Sequence, residues 1–152
     1  MTSDGIQTRD WNRIWKCAAD IANLAAAGRL QEMRLTEKQL LSELRILESK
    51  YGRLPSILAT RADYIPSLQR RVRLLEEAFS KARSAGDLAN CTIIAGSLAA
   101  LLIERMKDKR RGDKWLRELG GCLSRHWDGF ESREHARLSK MIKSQLEIPL
   151  VK

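Results

Sequence analysis

The chain has 152 residues, enough for one domain with a sizeable core, and an apolar share of 43%, which argues against a disordered body. Its net charge of +9 is unevenly placed: residues 1–52 carry eight Lys/Arg against seven Asp/Glu, and residues 53–152 carry twenty against twelve. Such a field favours anionic partners without choosing between nucleic acid, an acidic protein and a lipid surface. The three cysteines, Cys17, Cys91 and Cys122, have no paired spacing, and residues 1–10 are polar with no apolar run. Both features predict a reducing, cytoplasmic setting without a signal peptide.

In chain order, residues 1–9 are expected to be a flexible N-terminus, 10–146 a single all-helical domain, and 147–152 a flexible tail around Pro149. Asp10 is a candidate N-cap for a first helix in which Ile14, Ala18, Ile21 and Ala25 recur at helical spacing before Gly28. Thr36-Glu37-Lys38-Gln39 reads as a capping box that opens a second helix, with Leu40, Leu44, Leu47 and Tyr51 on one stripe and Gly52 as its stop. Pro55 suits the first turn of a short third helix that ends before Pro66. Ser67 can cap a fourth, where Leu68, Val72, Leu75, Phe79 and Ala82 form the cleanest amphipathic pattern in the chain.

After the turn Ala85-Gly86-Asp87, the stretch from Asp87 to Met106 is apolar on every side, so it should be the buried central helix. Asn90, Thr92 and Ser97 interrupt it, and on that reading it is too short and too broken to cross a bilayer. Asp113 is the expected cap of a sixth helix carrying Trp115, Leu116, Leu119 and Leu123. A seventh should run from about Glu131 to Leu146. No strand pattern appears, so the expected class is all-α with about seven helices.

Short turns make consecutive helices antiparallel neighbours, and read in pairs they give three hairpins and a terminal helix. On these residues the chain resembles a degenerate tetratricopeptide array over roughly residues 10–126. Gly52 and Gly86 are 34 residues apart, the period of that repeat, and Leu40, Leu41, Glu43 and Leu44 align with Leu74, Leu75, Glu77 and Ala78. The run from Leu74 to Ala82 is similar to a second helix of such a repeat, with Ala78, Phe79 and Ala82 as packing residues. The usual first-helix Trp, Leu-Gly and Tyr pattern is absent, and the third unit is out of register. A compact bundle of six or seven helices stays open as the alternative. The resemblance implies a concave surface lined by the first helix of each hairpin, with Asn23, Arg61, Asn90 and Ser97 near a partner.

The densest charged feature is Arg105, Lys107, Lys109, Arg110, Arg111, Lys114 and Arg117, read as an exposed loop between two helices that contacts an anionic partner. Arg61, Arg70, Arg71 and Arg73 form a secondary basic patch. Cys122 and His126 lie four apart, with His135 further on, but no fourth ligand is evident, so no metal site is expected. Glu131 and Glu134 precede His135 in what reads as an exposed helix start whose acids complement the dipole. Trp11 and Trp15 are expected to cap the core, or else to offer an exposed contact.

No catalytic motif or cofactor loop is recognisable. The expected function is a non-enzymatic adaptor or scaffold subunit that binds another protein or an assembly through a basic surface, with no cofactor and no membrane. The alternative is a small basic helical subunit of a nucleic-acid-handling complex, such as the small subunit of an RNA-guided defence complex or a phage packaging subunit.

Overall fold

The computed structural model describes residues 1–146, and among these there are seven α-helices, one π-helical turn and no strand. The helices are α1 (Thr8–Ala26), α2 (Leu30–Tyr51), α3 (Pro55–Asp63), α4 (Leu68–Ser84), α5 (Leu88–Ala100), α6 (Lys109–Arg125) and α7 (Gly129–Leu146). The π turn, Leu101–Arg105, extends α5. The fold is all-α, as the periodicity predicts. The tail from residue 147 onward lies outside the described residues.

The most extensive packing joins α1 to α2, α3 to α4 and α5 to α6; α4 also packs on α5, and α7 covers parts of α5 and α6. Two apolar clusters result. The smaller is centred on Ile6, Ile14, Ile21, Leu40, Leu44 and Ile57. The larger surrounds α5 and draws in Leu75, Phe79, Trp115, Leu119 and Leu138. Phe79 meets Trp115 edge to face at 4.8 Å, a contact that joins α4 to α6 beneath the surface.

Several boundaries differ from the sequence reading. α1 starts at Thr8, and Asp10 does not cap it: its Oδ2 accepts from Lys50 Nζ and from the Tyr51 hydroxyl, each at 2.6 Å. These two donors lower the Asp10 pKa to about 2. α2 starts six residues before the expected box, and Thr36 sits inside it, donating to the Glu32 carbonyl at 3.0 Å. Every residue from Leu30 to Thr36 tolerates a helix, so nothing stops one from forming ahead of the capping signature. Ser67 caps α4 as expected, and Asp87, the last residue of the expected turn, caps α5; they accept from the Arg70 and Asn90 amides. Gly28 and Gly52 stop their helices with φ of +70° and +86°, in the region that glycine enters without strain.

The N-terminal segment, expected to be flexible, is held against the body. Ile6 is fully buried, and Asp4 accepts from the Ser56 amide at 2.7 Å and the Ser56 hydroxyl at 2.9 Å. Asp4 thereby satisfies a donor at the start of α3, which Pro55 opens without one. Asn90 completes the tie, donating to Ser3, Ser56 and Asp87 at 3.1, 3.2 and 2.7 Å.

The central helix is less completely covered than an all-apolar sequence predicts. Ala89, Ser97 and Ala100 are half-buried and Ile93 is 45% exposed, so one stripe of α5 stays open. Leu88–Arg105, the π turn included, is also long and apolar enough to cross a membrane by length and composition, contrary to expectation. Most of that segment is buried against neighbouring helices.

Candidate anion-binding interface

The predicted basic loop is mostly helix. Asp108, not Asp113, caps α6: its Oδ1 accepts from the Arg111 amide at 3.1 Å and its carbonyl from the Gly112 amide at 2.9 Å. The chain reaches that cap through the π turn and through Lys107, whose φ of +56° is left-handed. Only residues 106–108 lie between the π turn and α6. The apolar face of α6 (Trp115, Leu116, Leu119, Cys122) is anchored in the core, so the cations beside it stand on a rigid support.

Residues Arg110, Arg111, Lys114 and Arg117, with Glu118, line one hollow of about 520 Å³. Arg110, Lys114 and Arg117 follow i, i+4, i+7 spacing, which puts them on one side of the helix. Their roles divide. Arg111 donates to Glu76 Oε1 on α4 at 3.3 Å and lies 3.9 Å from Asp108, so part of its charge is spent inside the fold. Arg117 pairs with Asp113, the residue expected to be the cap. Arg110 and Lys114 are exposed and make no ion pair among the described residues. The positive potential of the hollow therefore centres on Arg110 and Lys114. Arg105, Lys107 and Lys109 are exposed but do not line it.

The second basic patch is divided in the same way. Arg61, Arg70 and Arg73 line a smaller hollow of about 330 Å³ with Ile65, Leu74 and Glu77. Arg61 pairs with Glu48, and Arg71 donates to the Ile65 carbonyl, so both are structural. Arg53, which sequence reasoning passed over, holds Glu48 at 2.9 Å and grips Glu77 at 3.0 and 2.9 Å. Arg61 chiefly lowers the Glu48 pKa, and Arg53 that of Glu77. Arg70 and Arg73 remain exposed.

No protein-family model, curated protein or solved structure matches the chain. Function is therefore read from the side chains themselves.

The other candidates fall as follows. Cys122 is buried, and burial pushes its thiol pKa up, while His126 is exposed beyond the end of α6 in extended backbone. Among the described residues no group of three or more His, Cys, Asp or Glu is placed to hold a metal. Glu131, expected in an exposed helix start, is 6% exposed, and its pKa is raised to about 7 by burial and then by Asp128 and Glu134. Asp128 supplies the cap there, accepting from the Glu131 amide at 2.9 Å. Trp15 does not cap the core, being 69% exposed, whereas Trp11 is half-buried. Of the residues expected near a partner, Asn90 is buried in the polar tie and Arg61 is engaged by Glu48, leaving Asn23 exposed and Ser97 half-open.

Proposed function

We propose that this protein is a non-enzymatic helical adaptor, built of tetratricopeptide-like hairpins, that binds an anionic macromolecule through the start of α6. The observation that carries the reading is the hollow formed by Arg110, Arg111, Lys114 and Arg117 on one rigid helix, with Arg110 and Lys114 uncommitted to any ion pair among the described residues. Cations on a rigid helix cost less to order on binding than cations on a mobile loop, because the loop loses backbone as well as side-chain freedom. The Asp108 carboxylate already occupies the end of α6, so an anion is held by side chains and not by the helix terminus. Hairpin-by-hairpin packing and the 34-residue interval from Gly52 to Gly86 support the repeat reading. Three buried free cysteines suit a cytoplasmic protein.

A nucleic-acid-handling subunit is the second reading. The i, i+4, i+7 row of Arg110, Lys114 and Arg117 favours it, since a fixed line of cations matches phosphates repeated along a backbone.

Fluorescence anisotropy against short single- and double-stranded nucleic acids and against a polyglutamate peptide, over a range of salt, tests both readings. The double variant Arg110→Ala/Lys114→Ala should melt like the parent and lose affinity. On nucleic acid it should flatten the salt dependence by about two units of slope, one for each lost phosphate contact. Binding to polyglutamate alone selects the adaptor reading. Absence of binding to all three probes, or a double variant that binds as the parent does, overturns the assignment of this site.

A further inference from the structure

A third concavity lies between α1 and α3 and has a different chemistry. Trp11, Trp15 and Ala18 of α1 line it together with Thr60, Asp63 and the following Tyr64, around a volume of about 430 Å³. Trp15 is 69% exposed, Trp11 and Tyr64 are half-buried, and the small side chain of Ala18 leaves open space beside the rings. Asp63 makes no ion pair among the described residues. The cation acting on it, Arg71, is held by its bond to the Ile65 carbonyl. Surrounding protein raises the Asp63 pKa although the side chain is open to solvent, as expected for a carboxylate inside a hollow. The Tyr64 hydroxyl is pushed up by burial, then by the negative charges of Asp63 and Glu37, so α2 adds a second acid to the local field. The α1 wall of this hollow belongs to the nearly neutral residues 1–52, whereas Thr60, Asp63 and Tyr64 lie in the part that carries most of the excess positive charge.

We propose that this hollow is a second binding site, one that takes an arginine side chain from a protein partner. Aromatic rings attract a cation through their faces, and the site adds an exposed carboxylate, Asp63, that makes no ion pair among the described residues. Arginine fits better than lysine, because a planar guanidinium stacks on tryptophan while its N–H fork meets the Asp63 carboxylate. The site is independent of the α6 hollow, because it is built from α1 and α3 and has the opposite charge preference.

The test uses the full chain, the peptide Ac-Gly-Arg-Gly-NH2, and the same peptide with citrulline, a neutral isostere, in place of arginine. Indole N–H resonances are followed by NMR, with Trp115 and Trp127, which do not line this hollow, as internal references. The arginine peptide should move the Trp11 and Trp15 signals saturably, in the millimolar range, and the citrulline peptide should not. Trp15→Ala should abolish binding and Asp63→Asn should weaken it several-fold. Both positions are exposed, so unchanged melting shows that each variant is folded. Arg110→Ala/Lys114→Ala should bind the arginine peptide as the parent does. Equal shifts with both peptides, no shift with either, or full binding by Asp63→Asn would overturn the proposal.

Discussion

Glu131 of α7 lays its carboxyl group in the notch that Gly96 opens on α5: a Cβ built on Gly96 would stand 1.9 Å from Oε2 and 2.7 Å from Cδ. The acid is thus buried by a helix–helix contact that requires glycine opposite it. Between Cys91 and Glu104, α5 carries no ionisable side chain, and Glu104 itself is paired with Arg137. The neighbouring charges acting on Glu131 are those of Asp128, which caps α7, and Glu134 within it, both of its own sign.

A pH dependence follows. Glu131 holds its proton up to about pH 7 in the fold, against 4.5 for the ordinary group. The folded state therefore binds this proton more tightly than the unfolded one, and stability falls as pH rises from 4.5 through 7. The loss has an upper bound of about 3 kcal/mol. Denaturant melts at pH 5 and pH 8 should show this fall in the parent and a much smaller one in Glu131→Gln. Gly96→Ala should flatten the profile as well, because its methyl expels the carboxyl group to solvent. Parent and Glu131→Gln melts with the same pH slope would remove Glu131 as the source.

Gly112 permits a second close approach, this time against a partner that cannot yield. A Cβ there would lie 2.4 Å from Ile103 Cγ1, and Ile103 is 1% exposed on the π turn. Alanine is the better helix former, by about 1 kcal/mol, but overpacking a rigid core costs about 1–3 kcal/mol. Gly112→Ala should therefore be destabilising by thermal denaturation. A variant as stable as the parent would mean that the π turn adapts freely.

Ile6 anchors the N-terminal segment. It is fully buried in the smaller cluster beside Ile14, Leu44 and Ile57. Ile6→Ala should cost about 2–5 kcal/mol, the range for a large apolar residue truncated in a core. Amide exchange should then speed up at Ser56, whose donor is held by Asp4. A loss below about 0.5 kcal/mol, as for a surface site, would show that the segment contributes nothing to the fold.

What the sequence determined by itself is the helical content and the helix stops. Gly28, Gly52 and Ser67 act where local rules place them, because caps and left-handed turns depend on a few adjacent residues. The apolar stripes of α4 and α6 were equally legible, since 3.6-residue periodicity is written in one dimension. Tertiary structure decided which of two rival signals prevailed. Asp10 and Asp113 both read as caps, yet each is drawn to a basic partner, Lys50 forty residues away in one case and Arg117 one turn along in the other. With Asp108 as the cap instead, an apparent loop of cations became a rigid helical face. The same holds for charge. Composition counts Arg61, Arg71 and Arg111 alike with Arg110 and Lys114, but only packing separates cations tied to Glu48, Ile65 and Glu76 from those that make no ion pair among the described residues. Glu131 is the extreme case. Its burial depends on the missing side chain of Gly96, 35 residues away and on another helix, a relation that no local pattern records.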